Sequence, residues 1–299
     1  MRQSFTRITA CFILLIGLLS TLLLAQQQGN LVYDVKSQYQ RISVYDTNGM
    51  RQLIFDGKFD GTDAIQSEMD KVDQNALTLS YAQHMICSLP LVAKPRRILI
   101  VGLGGACIER YLYNLLPDAK IETVELDPEV ANVARKYFNL KEDARQVVHI
   151  GDGRKFIDES KDKYDFIMLD AFSATSIPYM LSTREFLEHC REHLTDGGIL
   201  AANLWNAEPT YPSMLKTYDA VFPEWHVVKC SDSSNAILTA LPTRRNVTKE
   251  SWKTVAAAFD RNHKTGLELS TLLDKGFEAT TRIPATAKVL LDKDEPKGK

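Results

Sequence analysis

Residues 101–107, VGLGGAC, directly follow the apolar run RRILI (96–100), and the reading of this stretch decides the fold. A short apolar strand that runs into a glycine turn and then a helix (ACIERYLYNLL, 106–116) is a nucleotide-binding device. Glycines let backbone approach a ligand closely, and the helix that follows offers free N–H groups. Gly102 and Gly104 are therefore candidate cofactor-contacting positions. The GxGxxG pattern of dinucleotide enzymes is incomplete, because its third glycine position is Cys107, and a nicotinamide cofactor loses weight accordingly.

Downstream of the turn, strands and helices alternate regularly: IETVEL (121–126), PEVANVARKYF (128–138), VVHIG (147–151), RKFIDES (154–160), YDFIMLD (164–170), STREFLEHCREHL (182–194) and GILAANLW (198–205). Short apolar strands with helices between them define a parallel sheet covered on both faces. WHVVKC (225–230) and NAILTAL (235–241), joined by the polar turn SDSS, read as an antiparallel hairpin at its edge. Upstream, LVYDV (31–35), RISVYD (41–46) and RQLIFDG (51–57) read as a small β-meander. Residues 63–89 carry a helical period, with Leu77, Tyr81, Met85 and Leu89 on one stripe.

These patterns divide the chain into an N-terminal signal peptide or membrane anchor (1–25), a β-strand and helix region (30–92), an α/β catalytic unit (96–243) and a C-terminal helical tail (246–299). Two arginines precede an apolar stretch from Ile8 to Ala25, the layout of an export signal, so the expected location is exported or membrane-anchored. At 299 residues, 44% hydrophobic and 25% charged, the chain can bury a sizeable core. A net charge of −2 without a basic stripe argues against nucleic acid as partner. No CxxC occurs, and the His189, Cys190, His193 trio has no further ligand cluster beside it, so no metal is expected.

Four acids punctuate the strand ends. Glu125 closes the second strand of the alternation, 23 positions after Gly102, where a carboxylate can accept both ribose hydroxyls. Asp127 beside Pro128 has the simpler reading of a helix N-cap with proline at N1. Asp152, followed by Gly153, lies just past the third strand, within reach of an adenine amino group. Asp170 closes the fourth strand and opens a polar loop, facing the reacting end of whatever the other acids hold, since ligands of open α/β sheets bind outside the carboxyl ends of strands. Ser182 and Glu185 have the S-x-x-E spacing of a capping box and carry no chemistry.

Taken in order, SQYQRISVYD, IFDGKFDGT, the glycine turn, VELDPEV, GDGRKFI, YDFIMLDAF and TREFLEHCREHLTDGGIL resemble the spermidine synthase family of polyamine aminopropyltransferases, over roughly residues 36–241. The resemblance implies a small N-terminal β-domain followed by a seven-stranded, Rossmann-type α/β domain of the class I S-adenosylmethionine-dependent methyltransferase kind, and usually a homodimer. It implies decarboxylated S-adenosylmethionine as co-substrate and an aminopropyl group passed to putrescine or a longer polyamine. It places Gln40 at the nucleoside or its sulfur side, Glu125 at the ribose, Asp152 at the adenine with Gly153 among the cofactor-binding residues, Asp170 at the attacking amine and Tyr81 along the polyamine channel. The chain departs from the family at three acids or amides: Gly105 stands where an Asp grips the cofactor's amine, Ser173 where a second loop acid is usual, and Asp60 where a glutamine is usual. The nucleoside half of the site is thus kept and the amine half eroded. That leaves room for intact S-adenosylmethionine and methyl transfer as the alternative activity, and for a non-catalytic nucleoside-binding relative as a further one.

Overall fold

The computed structural model describes residues 29–56, 65–172 and 177–296. The expected signal or anchor at 1–25, and the departures at Asp60 and Ser173, lie outside the described residues. Among the described residues two sheets form. The smaller is antiparallel, in the order β1 (Asn30–Lys36), β2 (Arg41–Thr47), β3 (Met50–Phe55), β4 (Ile65–Asp70). The larger has seven strands in the order β10 (Glu224–Lys229), β11 (Asn235–Leu241), β9 (Leu194–Trp205), β8 (Tyr164–Leu169), β5 (Arg97–Val101), β6 (Lys120–Glu125), β7 (Gln146–Ile150).

In the larger sheet, β5 lies between β6 and β8, both parallel to it, and β11 runs antiparallel to β9 and β10. The predicted edge hairpin is present, with Trp225 opposite Ala240 and Val227 opposite Leu238. The chain winds outward from β5 through β6 to β7, then returns to β8 on the other side. That reversal opens a crevice at the carboxyl ends of β5 and β8, the place where open α/β sheets take their ligands.

Both faces are covered, which is why the central strands are continuously apolar rather than alternating. Helices α1 (Ser80–Ile86), α2 (Cys107–Leu115), α7 (Lys249–His263) and α8 (Leu269–Gly276) supply one core, around fully buried Met85, Leu112, Trp252 and Leu273. Helices α4 (Gly153–Glu159), α5 (Arg184–Glu192) and α6 (Tyr211–Val221) supply the other, around Ile157, Phe186 and Leu215. The small sheet docks on α3 (Pro128–Tyr137), packing Ile42, Val44 and Leu53 against Val130, Val133 and the adjoining Phe138. Asp127 caps α3 as expected, accepting from Glu129 N at 2.9 Å with Pro128 at N1.

Two local expectations are corrected. The helical period over 63–89 is replaced, among the described residues, by a strand and a short helix: β4 pairs with β3, Leu53 opposite Ser67, and of residues 65–89 only Ser80–Ile86 is α-helical. The polar sequence IQSEMD has little strand propensity of its own; the unpaired edge of β3 supplies the hydrogen bonds that make it one. The cap of α5 is Thr183, not Ser182: the Thr183 hydroxyl accepts from Phe186 N, while Ser182 is buried.

Candidate functional site

Strand ends and the glycine turn build the site. At Gly102 the backbone adopts φ +99°, and a Cβ there would stand 2.3 Å from the Asp170 carbonyl oxygen. Only glycine allows β5 and β8 to end so close together, so the turn and Asp170 are one structural unit. Gly104 also has positive φ (+52°), and Ala106 follows at φ +53° as the N-cap of α2.

Glu125 lies at the carboxyl end of β6, next to the turn. Its Oε2 accepts from Leu103 N at 3.0 Å and its Oε1 from Asp127 N at 2.8 Å. Burial pushes this carboxyl up to about 7, against the pull of those amide donors. Each oxygen retains lone-pair capacity for a further donor such as a hydroxyl. One strand further out, Asp152 caps α4, accepting from Lys155 N at 2.9 Å, and is otherwise exposed. Gly153 sits against Val101, whose Cγ1 would lie 2.5 Å from an added Cβ. Gln40 is in the β1–β2 turn, which Ser37 staples: its backbone N–H donates to the Gln40 carbonyl at 2.9 Å and its hydroxyl to the Asp127 carboxylate. The structure thus sets Gly102, Gly104, Glu125, Asp152 and Gly153 along one rim, with the Gln40 turn tied to it through Asp127.

Asp170 directly follows β8, at the switch point of the sheet. Its Oδ1 accepts from Asn203 Nδ2 at 2.9 Å, and Asn203 in turn accepts from Asn235 Nδ2 at 2.9 Å. Burial pushes the Asp170 carboxyl up to about 7, while Asn203 and the nearby Tyr81 hydroxyl pull the other way. Tyr81, on α1, donates to the Gln66 carbonyl at 3.0 Å, and burial holds its phenol well above the ordinary value.

Three residues of this cluster escaped the sequence reading. Asn203 was discoverable, as the single polar residue inside the apolar strand GILAANLW. Ser67 was hidden with β4; its hydroxyl accepts from Gly105 N at 2.8 Å. Glu109 looked like an ordinary first-turn acid, yet it is 1% exposed and accepts from the Thr123 hydroxyl at 3.2 Å. Burial, reinforced by Asp170, pushes Glu109 up to about 8. Gly105 is walled in: an added Cβ would meet Ser67 Cβ at 2.8 Å and the Phe138 ring at 3.0 Å.

A glycine turn, acids at successive strand ends and a desolvated carboxyl at the switch point of a seven-stranded sheet define an α/β protein of the methyltransferase fold. Comparison with known proteins narrows the class. The model of the spermine/spermidine synthase domain matches residues 79–230. A polyamine aminopropyltransferase of Vibrio vulnificus is 34% identical over 243 residues, 78% of this chain and 81% of its relative. A probable spermidine synthase from Corynebacterium glutamicum superimposes with a TM-score of 0.65 at 19% identity, covering 84% of this chain and 99% of the other. Human methyltransferase-like protein 13, solved in complex with SAH, superimposes with a TM-score of 0.59 at 27% identity, covering 62% of this chain and 93% of the other. The chain belongs to the spermine/spermidine synthase family, a family of transferases.

The relatives also correct one expectation. Export or membrane anchoring through residues 1–25 does not stand, because the chain aligns with polyamine aminopropyltransferases over most of their length. Among the described residues no helix is long and apolar enough to cross a membrane, and none of their His, Cys, Asp and Glu side chains form a group that could hold a metal ion.

Proposed function

We propose that the chain transfers an aminopropyl group from decarboxylated S-adenosylmethionine to a small-molecule amine of the polyamine class. The observation that carries this reading is Asp170, a carboxyl raised to about 7 by burial and set between Tyr81 and Asn203 at the switch point of the sheet. In this reading Glu125 takes the ribose hydroxyls, Asp152 and Gly153 the adenine edge, and the backbone of Gly102 and Gly104 lies against the nucleoside tail. Gln40 closes the sulfur side and Tyr81 flanks the acceptor. Asp170 orients a neutral amine toward the carbon beside the sulfonium. As the new C–N bond forms and the C–S bond breaks, the electron pair stays on sulfur, giving 5′-methylthioadenosine, and Asp170 receives the amine's proton. A base titrating near the working pH suits that step, and holding both reactants in line supplies much of the rate.

One observation favours a second reading, methyl transfer from intact S-adenosylmethionine. Gly105 has no room for the acid that grips the decarboxylated cofactor's amine, so no carboxylate at that position repels the intact cofactor's own. The likeness to a methyltransferase solved with SAH points the same way. The deciding experiment is calorimetric titration with both cofactor forms, followed by mass analysis of products with a polyamine panel. Tighter binding of the decarboxylated form and an acceptor heavier by one aminopropyl group support the first reading. A methylated acceptor supports the second, and failure to bind either form defeats both.

A further inference from the structure

The C-terminal segment lies beyond the residues that the family model matches, yet it is bonded to the helix that opens with Gly153 and to Tyr179 and Arg184. After α8, Phe277 bridges to Val228 and Glu278 N donates to the Val227 carbonyl at 3.0 Å. The chain then runs along α6, where Leu290 N donates to Thr217 Oγ1 at 3.0 Å. It crosses the start of α5: Arg184 N donates to the Leu290 carbonyl at 2.8 Å, and the Tyr179 hydroxyl to the Leu291 carbonyl at 3.1 Å. It ends on Arg154 of α4, whose guanidinium grips both oxygens of Asp292 at 2.7 and 2.6 Å.

The same guanidinium donates to the Met180 carbonyl at 3.2 Å and to Thr183 Oγ1 at 3.0 Å. One side chain therefore joins three pieces: the helix that opens with Gly153, the C-terminal strap, and the segment 177–183, whose Ile177 and Leu181 pack in the same apolar cluster as Leu169 and Ala171 on either side of Asp170. Between Ile177 and Thr183 the only regular structure is a single 3₁₀ turn, Tyr179–Leu181. A segment with so few internal bonds takes its conformation from outside anchors. The Arg154 side chain is only 15% exposed, and a planar fork on a carboxylate fixes orientation as well as distance.

Building on aminopropyl transfer as the reaction, we propose that Arg154 is a positioning residue for the amine half of the site, holding Tyr179–Thr183 in register through its bidentate bond to Asp292. The nucleoside half is anchored apart from this bond: Gly102, Gly104 and Glu125 are set by the β5 and β6 strand ends, and Asp152 and Gly153 by the cap bond to Lys155 N and by the contact of Gly153 with Val101.

The test uses the full chain with putrescine as acceptor and decarboxylated S-adenosylmethionine as donor. Asp292→Asn and Arg154→Lys each lose the charged fork; KM for putrescine rises about tenfold while the Kd of 5′-methylthioadenosine stays within about twofold. Asp292→Glu, which restores the carboxylate, brings KM back toward wild type. Amide hydrogen exchange provides a readout without turnover: residues 179–183 exchange faster in Asp292→Asn, while β5 and β6 do not change. Unchanged exchange at 179–183 overturns the proposal, as does a loss of methylthioadenosine binding that parallels the rise in KM, which would mark a general structural defect. A wild-type protein that binds methylthioadenosine but neither binds nor uses putrescine defeats the reaction on which the proposal rests, and is recognisable before any variant is made.

Discussion

Asn203 Nδ2 donates to Asp170 Oδ1 at 2.9 Å, and the Asn203 side-chain carbonyl accepts from Asn235, so one carboxyl at the end of β8 is steadied from the neighbouring β9, itself held by β11 beyond it. The arrangement makes the Asp170 ionisation visible in rate. With Asp170 near 7 and acting as the proton acceptor, kcat/KM referred to the neutral form of the amine rises as pH passes through about 7 and then levels, since only the ionised carboxylate accepts a proton. Asn203→Ala removes a donor that favours the ionised form, so the rise moves to higher pH. Asp170→Asn lowers kcat by about 10²- to 10⁴-fold, the usual share of positioned general-base help. A pH–rate profile of the three proteins checks this; a limb that stays in place in Asn203→Ala would sever the link between the two residues.

The Glu125 geometry changes what its removal should do. Its two oxygens hold Leu103 N and Asp127 N, so Glu125→Ala weakens nucleoside binding and also leaves buried amides without acceptors. The expected outcome is a loss of about 1.5–3 kcal/mol of 5′-methylthioadenosine affinity together with a lower Tm, because each orphaned buried donor costs about 1–3 kcal/mol. Calorimetry and thermal unfolding on the same variant measure both. A normal Tm would mean that the two amides find other acceptors.

The extent to which the site was legible in the sequence follows from how local each signal is. Gly102, Glu125, Asp152 and Asp170 end strands in a repeating strand–helix pattern, and a strand end in a parallel sheet points at the crevice whatever else the chain does. Asp127 and Pro128 announced a helix start for the same local reason. β4 was illegible because its hydrogen bonds come from β3 rather than from its own sequence, and with it Ser67 disappeared from view. Glu109 was hidden by its rank in the helix: an acid in a first turn is ordinarily solvated, and only the packing of α2 over Thr123 buries it.

Gly105 is predicted to be a packing position. Ser67 and the Phe138 ring occupy the space a side chain would need, so Gly105→Ala costs about 1–3 kcal/mol by overpacking, and Gly105→Asp costs more through a buried charge. Removing the obstruction separates sterics from chemistry: Ser67→Gly combined with Gly105→Ala recovers part of the lost Tm, a coupling expected only of residues in contact. Strictly additive losses in the double variant would place the two residues apart.

Glu109 has a signature in stability rather than in binding. Burial and Asp170 hold it near 8, against an ordinary value of 4.5. Below about 4.5 the group is protonated in both folded and unfolded chains and contributes no pH dependence. Between that value and about 8 the unfolded chain alone releases the proton, so the folded state loses stability as pH rises, by at most about 1.4 kcal/mol per pH unit. Above about 8 both states are ionised and the loss stops growing. Glu109→Gln keeps an oxygen for the Thr123 hydroxyl but cannot ionise, so the loss is removed. The Tm of Glu109→Gln relative to wild type therefore climbs from pH 5 to pH 8, and differential scanning calorimetry across that range reads the trend. A difference that is flat with pH would mean that Glu109 is already ionised in the folded protein, paired with a cation or with water reaching it.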